Sequence, residues 1–409
     1  MSESYEIYRG IGRLVTLRAA AEKGARRVTE ADLSVIEKAA IVSRAGKIEW
    51  LGPETDLPSN HAKARSHDLG GATVIPALVE CHTHLVFAGN RAGEFERRNR
   101  GETYQAIGAA GGGILASVRA TRAASLEELV SSAQKRVDRF VAQGVGTIEA
   151  KSGYGLSVES ETKMMRAAQK LTRARIVSTF LGAHAIAPEF TSAEEYVAHL
   201  MREALPLIAR EKLATRVDIF LEKGYFERPV ARRYLEAAKR LGFDLAVHAD
   251  QLTLSGGADT AVDLGARSAE HLVQIGPPEI AKLAASETTC VLLPSADLYM
   301  DCAYPPARAL IDRGARVAIA TDFNPGSSPS QDVSLVGVLS RVRMKMSFPE
   351  TLAAYTIGAA YALGLEKQTG SLEIGKSCDF AILDGSLDEL FLEIGRAPVS
   401  SVVVEGLQV

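Results

Sequence analysis

Two histidines separated by one residue, His82 and His84, follow an apolar run that begins at Val74 and reads VIPALVECHTH. Side chains two positions apart in a strand point to the same face, so the pattern predicts two imidazoles side by side at a strand's end. Neutral imidazoles aimed at one point suit a metal ion. A pair of surface histidines at the start of a loop would give the same spacing, so further ligands are needed to decide.

The middle of the chain alternates strand-like and helix-like segments, which predicts the elements that would position these histidines. The strand-like segments are ATVIPALVECH, GTIEAKSG, RIVSTFLGAH, RVDIFLEK, DLAVHAD, ARSAEHL, TTCVLLPS and RVAIATDFN. Ser125 and Glu128 form a capping box before one helical segment, and Gly144 closes it. Eight strands with intervening helices predict an α/β fold of the (β/α)8 TIM-barrel type. A doubly wound open sheet is the alternative, but no G-x-G-x-x-G turn follows the first strand.

Both ends of the chain have a different, β-rich texture. RLVTL and GKIEWLG lie near the start, and GSLEIGKSCDFAILDG and PVSSVVVEGLQV lie near the end. We therefore expect a small β-sandwich domain formed by residues 1–73 plus 366–409, and a barrel formed by residues 74–365.

Residues that can bind metals collect at the predicted strand ends, where TIM barrels form their active sites. Of the eight histidines, the five at strand ends are His82, His84, His184, His248 and His271, and the three elsewhere are His61, His67 and His199. His82, His84, His248 and Asp322 would form a set of three nitrogens and one oxygen that suits zinc or iron. A bound metal lowers the pKa of its water toward neutrality. Asp322 could then also accept a proton, and His271 could hold or relay it, which indicates a hydrolase.

Composition argues for a globular protein without nucleic-acid or membrane partners. The 409 residues carry a net charge of −3 and are 46% hydrophobic. No apolar run approaches the roughly 18–20 residues of a membrane span, and the start MSESYEIYRG does not resemble a secretory signal. The four cysteines form no C-x-x-C pair, so we expect reduced thiols in a cytoplasmic protein.

Over nearly its whole length the chain resembles the imidazolonepropionase family of the amidohydrolase superfamily. The segments that carry the resemblance are ECHTHLVFAGNRAGEF, TYQAIGAAGGGILASVRATRAAS, EAKSGYGLSVESETKM, LGAHAIAPEF, VHADQL, AEHL and ATDFNPGSSP. The resemblance implies one zinc or iron ion per chain, held by His82, His84, His248 and Asp322. It also implies hydrolysis of the ring amide C–N bond of 4-imidazolone-5-propanoate to N-formimidoyl-L-glutamate in histidine degradation, by a homodimer.

The same resemblance implies a set of substrate contacts. They are Arg91, Tyr104, Tyr154, His184, Gln251, Asn324, Gly326 and Ser327. An arginine suits the propanoate of this small-molecule substrate, and tyrosine or histidine can donate hydrogen bonds to its oxygens. Gln251 departs from relatives that carry glutamate there. Because an amide cannot act as a base, the departure assigns proton transfer to Asp322 and His271 and leaves Gln251 to orient the substrate.

Three other functions fit parts of the sequence. A metal-dependent deaminase of a purine or pyrimidine would share the ligands, but Gln251 stands where such enzymes use glutamate. A binuclear hydrolase would need a carboxylated lysine, for which Lys223 is the candidate; a solvated charge is the simpler interpretation. A non-catalytic protein on the same barrel would be free to lose the ligands. We also expect the insertion of residues 90–114 to cover the substrate as a lid.

Overall fold

The computed structural model describes residues 5–59, 64–102 and 112–409; Tyr104 and much of the expected lid lie outside them. The strands are β1 Tyr5–Val15, β2 Val35–Arg44, β3 Lys47–Pro53, β4 Arg65–Asp68, β5 Thr73–Pro76, β6 Leu78–Glu80, β7 Val145–Lys151, β8 Arg175–Ala183, β9 Arg216–Leu221, β10 Asp244–Ala249, β11 Ser268–His271, β12 Thr289–Leu292, β13 Val317–Ile319, β14 Phe380–Leu383, β15 Val399–Val404 and β16 Leu407–Gln408. The helices are α1 Arg18–Glu22, α2 Ala92–Asn99, α3 Ile114–Ala123, α4 Leu126–Val141, α5 Val158–Ala168, α6 Ala193–His199, α7 Leu205–Glu211, α8 Arg228–Arg240, α9 Gly257–Leu264, α10 Pro277–Ala284, α11 Pro294–Met300, α12 Ala307–Arg313, α13 Val333–Val342, α14 Phe348–Ala354 and α15 Ile357–Leu363.

Strands β6 to β13 form a parallel eight-stranded sheet in which every strand neighbours the next one along the chain. The ring closes where Thr83 bridges Phe323, because the His84 N–H donates to the Phe323 carbonyl at 2.9 Å. The predicted (β/α)8 barrel is therefore confirmed. The carboxyl ends of all eight strands meet at one mouth, which brings residues far apart in sequence to a common point.

Helix α4 shows why the helical segments form where the sequence predicts them. Ser125 accepts from the Glu128 N–H at 3.1 Å, and the Glu128 carboxylate accepts from the Ser125 N–H at 2.8 Å. This capping box satisfies backbone donors that the first turn leaves without partners. Leu129, Val137 and Phe140 share the buried face, as the helical spacing of the apolar residues predicts.

Both ends of the chain build one sheet in the order β16-β15-β14-β5-β1-β2-β3, with β4 also pairing with β1. Its core contains Ile11, Leu14, Phe380 and Val403. The run ATVIPALVECH, expected to be one strand, is divided between β5 of this sheet and β6 of the barrel. Pro76 lies at the end of β5, and a proline there donates no hydrogen bond that would continue the ladder. The boundaries 1–73, 74–365 and 366–409 remain a prediction.

Arg175, at the start of β8, links the barrel to the terminal sheet. Its Nη1 lies 2.5 Å from Asp379 Oδ2, and its Nη2 lies 3.0 Å from Glu405 Oε1. Asp379 is buried, so this ion pair fixes the amino-terminal end of the barrel, opposite the mouth. Among the described residues, no helix is both long and apolar enough to cross a bilayer.

Candidate active site

Three histidines converge at the mouth of the barrel. His82 and His84 follow β6, and His248 lies in β10. One ring nitrogen from each lies within 4.8 Å of the nitrogens of the other two. Asp322, three residues past β13, places Oδ1 at 3.3 Å from His82 Nε2 and at 3.6 Å from His84 Nε2. The structure therefore brings together all four residues proposed as ligands.

The protonation of two of these histidines suits a cation. Burial lowers the pKa of His82 and of His84 well below the usual range, so both rings are neutral, the form that binds metals. Burial also acts to lower the pKa of His248, but the carboxylates of Asp218 and Glu270 together outweigh burial and raise that pKa. Within the described residues, Nε2 of His82 and Nε2 of His248 have no hydrogen-bond partner. Buried nitrogens without partners are costly, and a metal ion at the shared point would satisfy them.

Carboxylates on two other strands of the barrel, β11 and β9, contact the far side of two of the rings. Glu270 Oε2 lies 2.8 Å from His82 Nδ1, and Asp218 Oδ2 lies 2.9 Å from His248 Nδ1. A carboxylate at Nδ1 fixes the tautomer and the ring orientation, and so presents Nε2 to a metal. The donor set therefore fits zinc or iron both in its chemistry and in its surroundings.

Asp322 and His271 lie in backbone conformations that residues with a side chain seldom adopt, with φ of 52° and 74°. Ligand-competent atoms of these two residues and of His82 lie within 4.8 Å of one another. Burial raises the pKa of Asp322 to about 7, and burial lowers the pKa of His271 well below its usual range. Asp322 can thus exchange a proton near neutral pH, whereas His271 stays neutral, so it can pass a proton on but does not retain one.

A cavity of about 360 Å³ opens above these groups. Its lining residues are His84, Arg91, Ile114, Tyr154, His184, Phe220, Tyr225, His248, Gln251, Leu252, His271, Met300, Asp322, Asn324 and Ser327. Six of the eight predicted substrate contacts belong to this lining, whereas Gly326 lies just behind it and Tyr104 falls outside the described residues. The apolar part, with Phe220 and Tyr225 in contact at 4.7 Å between ring centroids, was missing from the prediction.

Arg91 is held in the cavity wall from two sides. Glu94 Oε2 accepts from its Nε at 2.7 Å, and the other oxygen of Glu94 accepts from the Gly113 N–H at 2.9 Å. On the opposite side, a Cβ on Gly326 would lie 1.9 Å from Arg91 Nη1. Gly326 therefore serves by lacking a side chain, since any other residue would displace the guanidinium.

Tyr154 and His184 form the wall next to His84. The His84 and His184 rings stack at 4.9 Å, and the Tyr154 and His184 ring centroids lie 5.5 Å apart. Burial lowers the pKa of His184 to about 3, which keeps the ring neutral. Its Nδ1 lies 3.2 Å from the Gly153 carbonyl, so that Nδ1 is the donor and Nε2 is left for other partners.

The loop that carries Tyr154 wraps around one buried carboxylate. Glu161, in α5, accepts from the N–H groups of Gly153 at 2.9 Å, Gly155 at 2.7 Å and Leu156 at 2.7 Å. Arg122 donates from Nε to the Gly155 carbonyl at 2.7 Å. The KSGYGL and VRATR segments thus act together, the second positioning the first.

Asn324 organises the turn after Asp322. Its Oδ1 accepts from the N–H groups of Gly326 and Ser327, each at 2.8 Å. Its Nδ2 donates to the Asp322 carbonyl at 2.7 Å and to Ser327 Oγ at 2.9 Å. The side chain therefore stabilises the strained conformation of Asp322 as well as lining the cavity.

The sequence profile of the amidohydrolase family matches residues 90–409. An imidazolonepropionase of Bdellovibrio bacteriovorus is 53% identical over 406 residues, which cover 98% of this chain and 96% of that protein. The imidazolonepropionase of Deinococcus radiodurans is 41% identical over 410 residues and covers the whole of both chains. The chain belongs to the imidazolonepropionase family of amidohydrolases. The predicted family is confirmed.

Solved structures similar to this member of the imidazolonepropionase family include two deaminases. Escherichia coli guanine deaminase superposes with a TM-score of 0.74 at 16% identity, over 100% of this chain and 99% of that one. A zinc-bound adenosine deaminase of Xanthomonas campestris gives a TM-score of 0.67 at 19% identity, over 98% and 92% of the two chains. At these identities the likeness shows the shared fold alone.

Four buried charges under the ligands were not among the predicted site residues of this imidazolonepropionase-family chain. They are Glu149 and Lys151 of β7, Asp218 of β9 and Glu270 of β11. Charged residues two positions apart in apolar strands, as in IEAK, signal side chains that point into the barrel. Lys223, the candidate carboxylated lysine, is exposed, as its interpretation as a solvated charge requires.

Proposed function

We propose that the chain hydrolyses the ring amide C–N bond of 4-imidazolone-5-propanoate and releases N-formimidoyl-L-glutamate. The proposal includes one zinc or iron ion per chain, held by His82, His84, His248 and Asp322. The comparisons support a hydrolase acting on cyclic amides in histidine degradation and the metal dependence of the amidohydrolases. The substrate, the identity of the metal and the roles of the residues are inferred from the cavity and its lining.

The observation that carries the proposal is that one cavity contains both the candidate metal ligands and a guanidinium that can bind a carboxylate. Its floor holds His84, His248 and Asp322, and its wall holds the Arg91 guanidinium. A substrate with a hydrolysable ring and a carboxylate tail requires both features. The cavity volume of about 360 Å³ lies at the lower end of the range usual for small-molecule sites.

When bound, the metal would polarise the ring carbonyl as a Lewis acid and make water acidic enough to attack at neutral pH. The water oxygen adds to the carbonyl carbon, the C–N bond breaks, and the ring nitrogen takes up a proton. Asp322 accepts the proton from water at Oδ2, the carboxylate oxygen that does not face His82 and His84, since its side chain lines the cavity. His271, which lies close to Asp322, relays that proton to the leaving nitrogen.

The other lining residues orient the substrate. Arg91 forms a charge-assisted hydrogen bond with the propanoate. Tyr154 donates to the ring or its oxygen from the wall beside His84. The neutral His184 ring, whose Nδ1–H donates to the Gly153 carbonyl, accepts at Nε2 from a substrate N–H. Gln251 contributes an amide, which can donate and accept but transfers no proton.

The homodimer and the cytoplasmic location also belong to this proposal. The cysteines support an intracellular location, since Cys81, Cys290, Cys302 and Cys378 are all free thiols. Gel filtration with light scattering would test the dimer.

The direct test follows the loss of imidazolonepropionate absorbance on adding purified protein, with metal analysis of the same sample and mass spectrometry of the product. Turnover with about one ion per chain and a product heavier than the substrate by one water supports the proposal. Release of ammonia from guanine or adenosine, without loss of imidazolonepropionate, would replace it with deamination.

Substituting Arg91 tests the substrate assignment itself. Arg91→Met should raise KM about 10–100-fold with a small change in kcat, because a hydrogen bond to a charged group contributes about 1.5–3 kcal/mol. Arg97→Met, in the helix that begins directly after Arg91 and paired with Glu102 at the surface, is the matched control and should change neither constant. An unchanged KM in Arg91→Met would reject the carboxylate contact.

A further inference from the structure

A single ammonium group lies directly beneath the proposed metal ligands. Lys151 is fully buried, and its Nζ lies 2.8 Å from Asp218 Oδ2 and 3.0 Å from an oxygen of each of Glu149 and Glu270. Three carboxylate oxygens around one point form the kind of surroundings that a hard divalent cation takes in proteins. Here a side chain of the protein supplies the positive charge.

Two of these three carboxylates are the ones that contact the histidines. Glu270 Oε2 lies 3.0 Å from Lys151 Nζ and 2.8 Å from His82 Nδ1. Asp218 Oδ2 lies 2.8 Å from the same ammonium and 2.9 Å from His248 Nδ1. The ammonium and the imidazoles therefore share the same carboxylate oxygens, so the position of Lys151 determines where the histidines point.

The charge balance of the cluster depends on Lys151. Arg216, also buried, pairs with Glu149 at 3.3 Å and donates to Ser268 Oγ at 3.2 Å. Without Lys151, one guanidinium would face three buried carboxylates. Buried carboxylates that lose their partner either take up protons or attract another cation.

We propose that Lys151 is a positioning residue for the metal centre: its ammonium occupies the place of a second cation and, through Glu270 and Asp218, aims His82 and His248 at one ion. The inference rests on the proposed metal site, although it does not depend on the identity of the substrate. The role of Lys151 explains why a site with enough carboxylates for two metal ions would bind only one.

The experiment is a Co²⁺ titration of the metal-free protein, native and Lys151→Met, followed by visible absorbance and by competition with a chelator. The native protein should saturate at one ion per chain. In Lys151→Met the affinity for the first ion should fall about 10–100-fold, the range typical of lost partners behind metal ligands. A second ion should then bind between the three carboxylates.

Each outcome decides one part of the inference. A folded Lys151→Met protein that binds one ion with native affinity and a native absorption spectrum overturns it. If the first ion binds more weakly but no second ion binds, the positioning role is supported. The idea that the ammonium occupies the place of a second cation is then rejected. Lys376→Met, which removes a largely buried ammonium 2.8 Å from Glu373 in the terminal region, is the matched control and should leave the titration unchanged.

A second variant covers the case in which Lys151→Met does not fold. Lys151→Met combined with Glu149→Gln removes one charge of each sign and so preserves the net charge of the cluster. It still leaves Glu270 and Asp218 without the ammonium, and the first ion should again bind at least about 10-fold more weakly. Native affinity in the double variant overturns the proposal. Native protein that binds one ion but does not consume imidazolonepropionate would reject the proposed substrate and leave this inference standing.

Discussion

The carboxylate of Glu161 offers the sharpest test of how the active-site loop is held. Glu161→Gln preserves the shape of the side chain and removes its charge. One carboxylate oxygen accepts from Gly155 and Leu156 and the other from Gly153, so an amide can keep the first pair but must place its NH2 against the third N–H. The change therefore costs at least one hydrogen bond to a charged group.

Such a bond contributes about 1.5–3 kcal/mol. We take about 2 kcal/mol as the penalty on the loop conformation that places Tyr154 in the cavity wall. Because about 1.4 kcal/mol is tenfold in rate, kcat/KM for imidazolonepropionate should fall about 30-fold. The assay is the loss of substrate absorbance, with the metal content and the thermal unfolding of each preparation measured in parallel.

Glu159→Gln provides the matched control, since Glu159 lies in the same helix and points to solvent. It should leave kcat/KM within twofold of the native value. A native kcat/KM in Glu161→Gln would refute the reasoning. A loss of metal in step with the loss of activity would also refute it, because the damage would then reach the ligands rather than the loop.

Three further predictions follow from the same structure. Gly326→Ala should raise KM more than about 10-fold with a smaller effect on kcat, because the new Cβ would lie 1.9 Å from Arg91 Nη1; steady-state kinetics at several substrate concentrations measures this. Asp322→Asn should lower kcat by at least about 100-fold even in preparations that retain metal, since an amide accepts no proton from water; near-normal turnover would reject the role as a base. Arg175→Gln should lower the unfolding temperature by at least about 3 °C in calorimetry and leave kcat/KM unchanged, because it leaves buried Asp379 without its partner.

Controls for these variants lie close by. Gly93→Ala adds a methyl group with nothing within 4 Å of it and should leave KM unchanged. If Gly93→Ala raised KM as much as Gly326→Ala, general disturbance of the loop would explain both. Arg175→Lys retains the charge and should recover part of the lost stability. An unfolding temperature unchanged by Arg175→Gln would show that the two parts of the chain do not depend on this ion pair.

Strand ends could be predicted from the sequence because the physics there is local. Alternating strands and helices place every carboxyl end at one mouth, so His82, His248 and Asp322 had to approach each other once the barrel was recognised. The capping box at Ser125 likewise depends on two residues three positions apart. Such features need no knowledge of the tertiary structure beyond the fold class.

Contacts between distant segments could not be predicted in this way. Lys151, Asp218 and Glu270 come from three strands, and only the register of the barrel shows that their charged atoms meet. The division of one apolar run into β5 and β6 could not be predicted either, because consecutive residues pair with strands of two different sheets. The position of Gly326 behind Arg91 depends on side-chain packing, about which the sequence pattern carries no information.

The position of strand β5 in the terminal sheet affects the order in which parts of the protein can fold during synthesis. Pro76 pairs with Phe380, so the partner strand emerges from the ribosome about 300 residues after β5. At about 5–20 residues per second, that delay is roughly 15–60 s. During this time Val74 and Ile75 present an unpaired strand edge, a template for association with other nascent chains. The barrel can begin to assemble as its strands are made, because each strand pairs with the next one along the chain. The terminal sheet, which contacts the amino-terminal end of the barrel, can be completed only when the last part of the chain has been made.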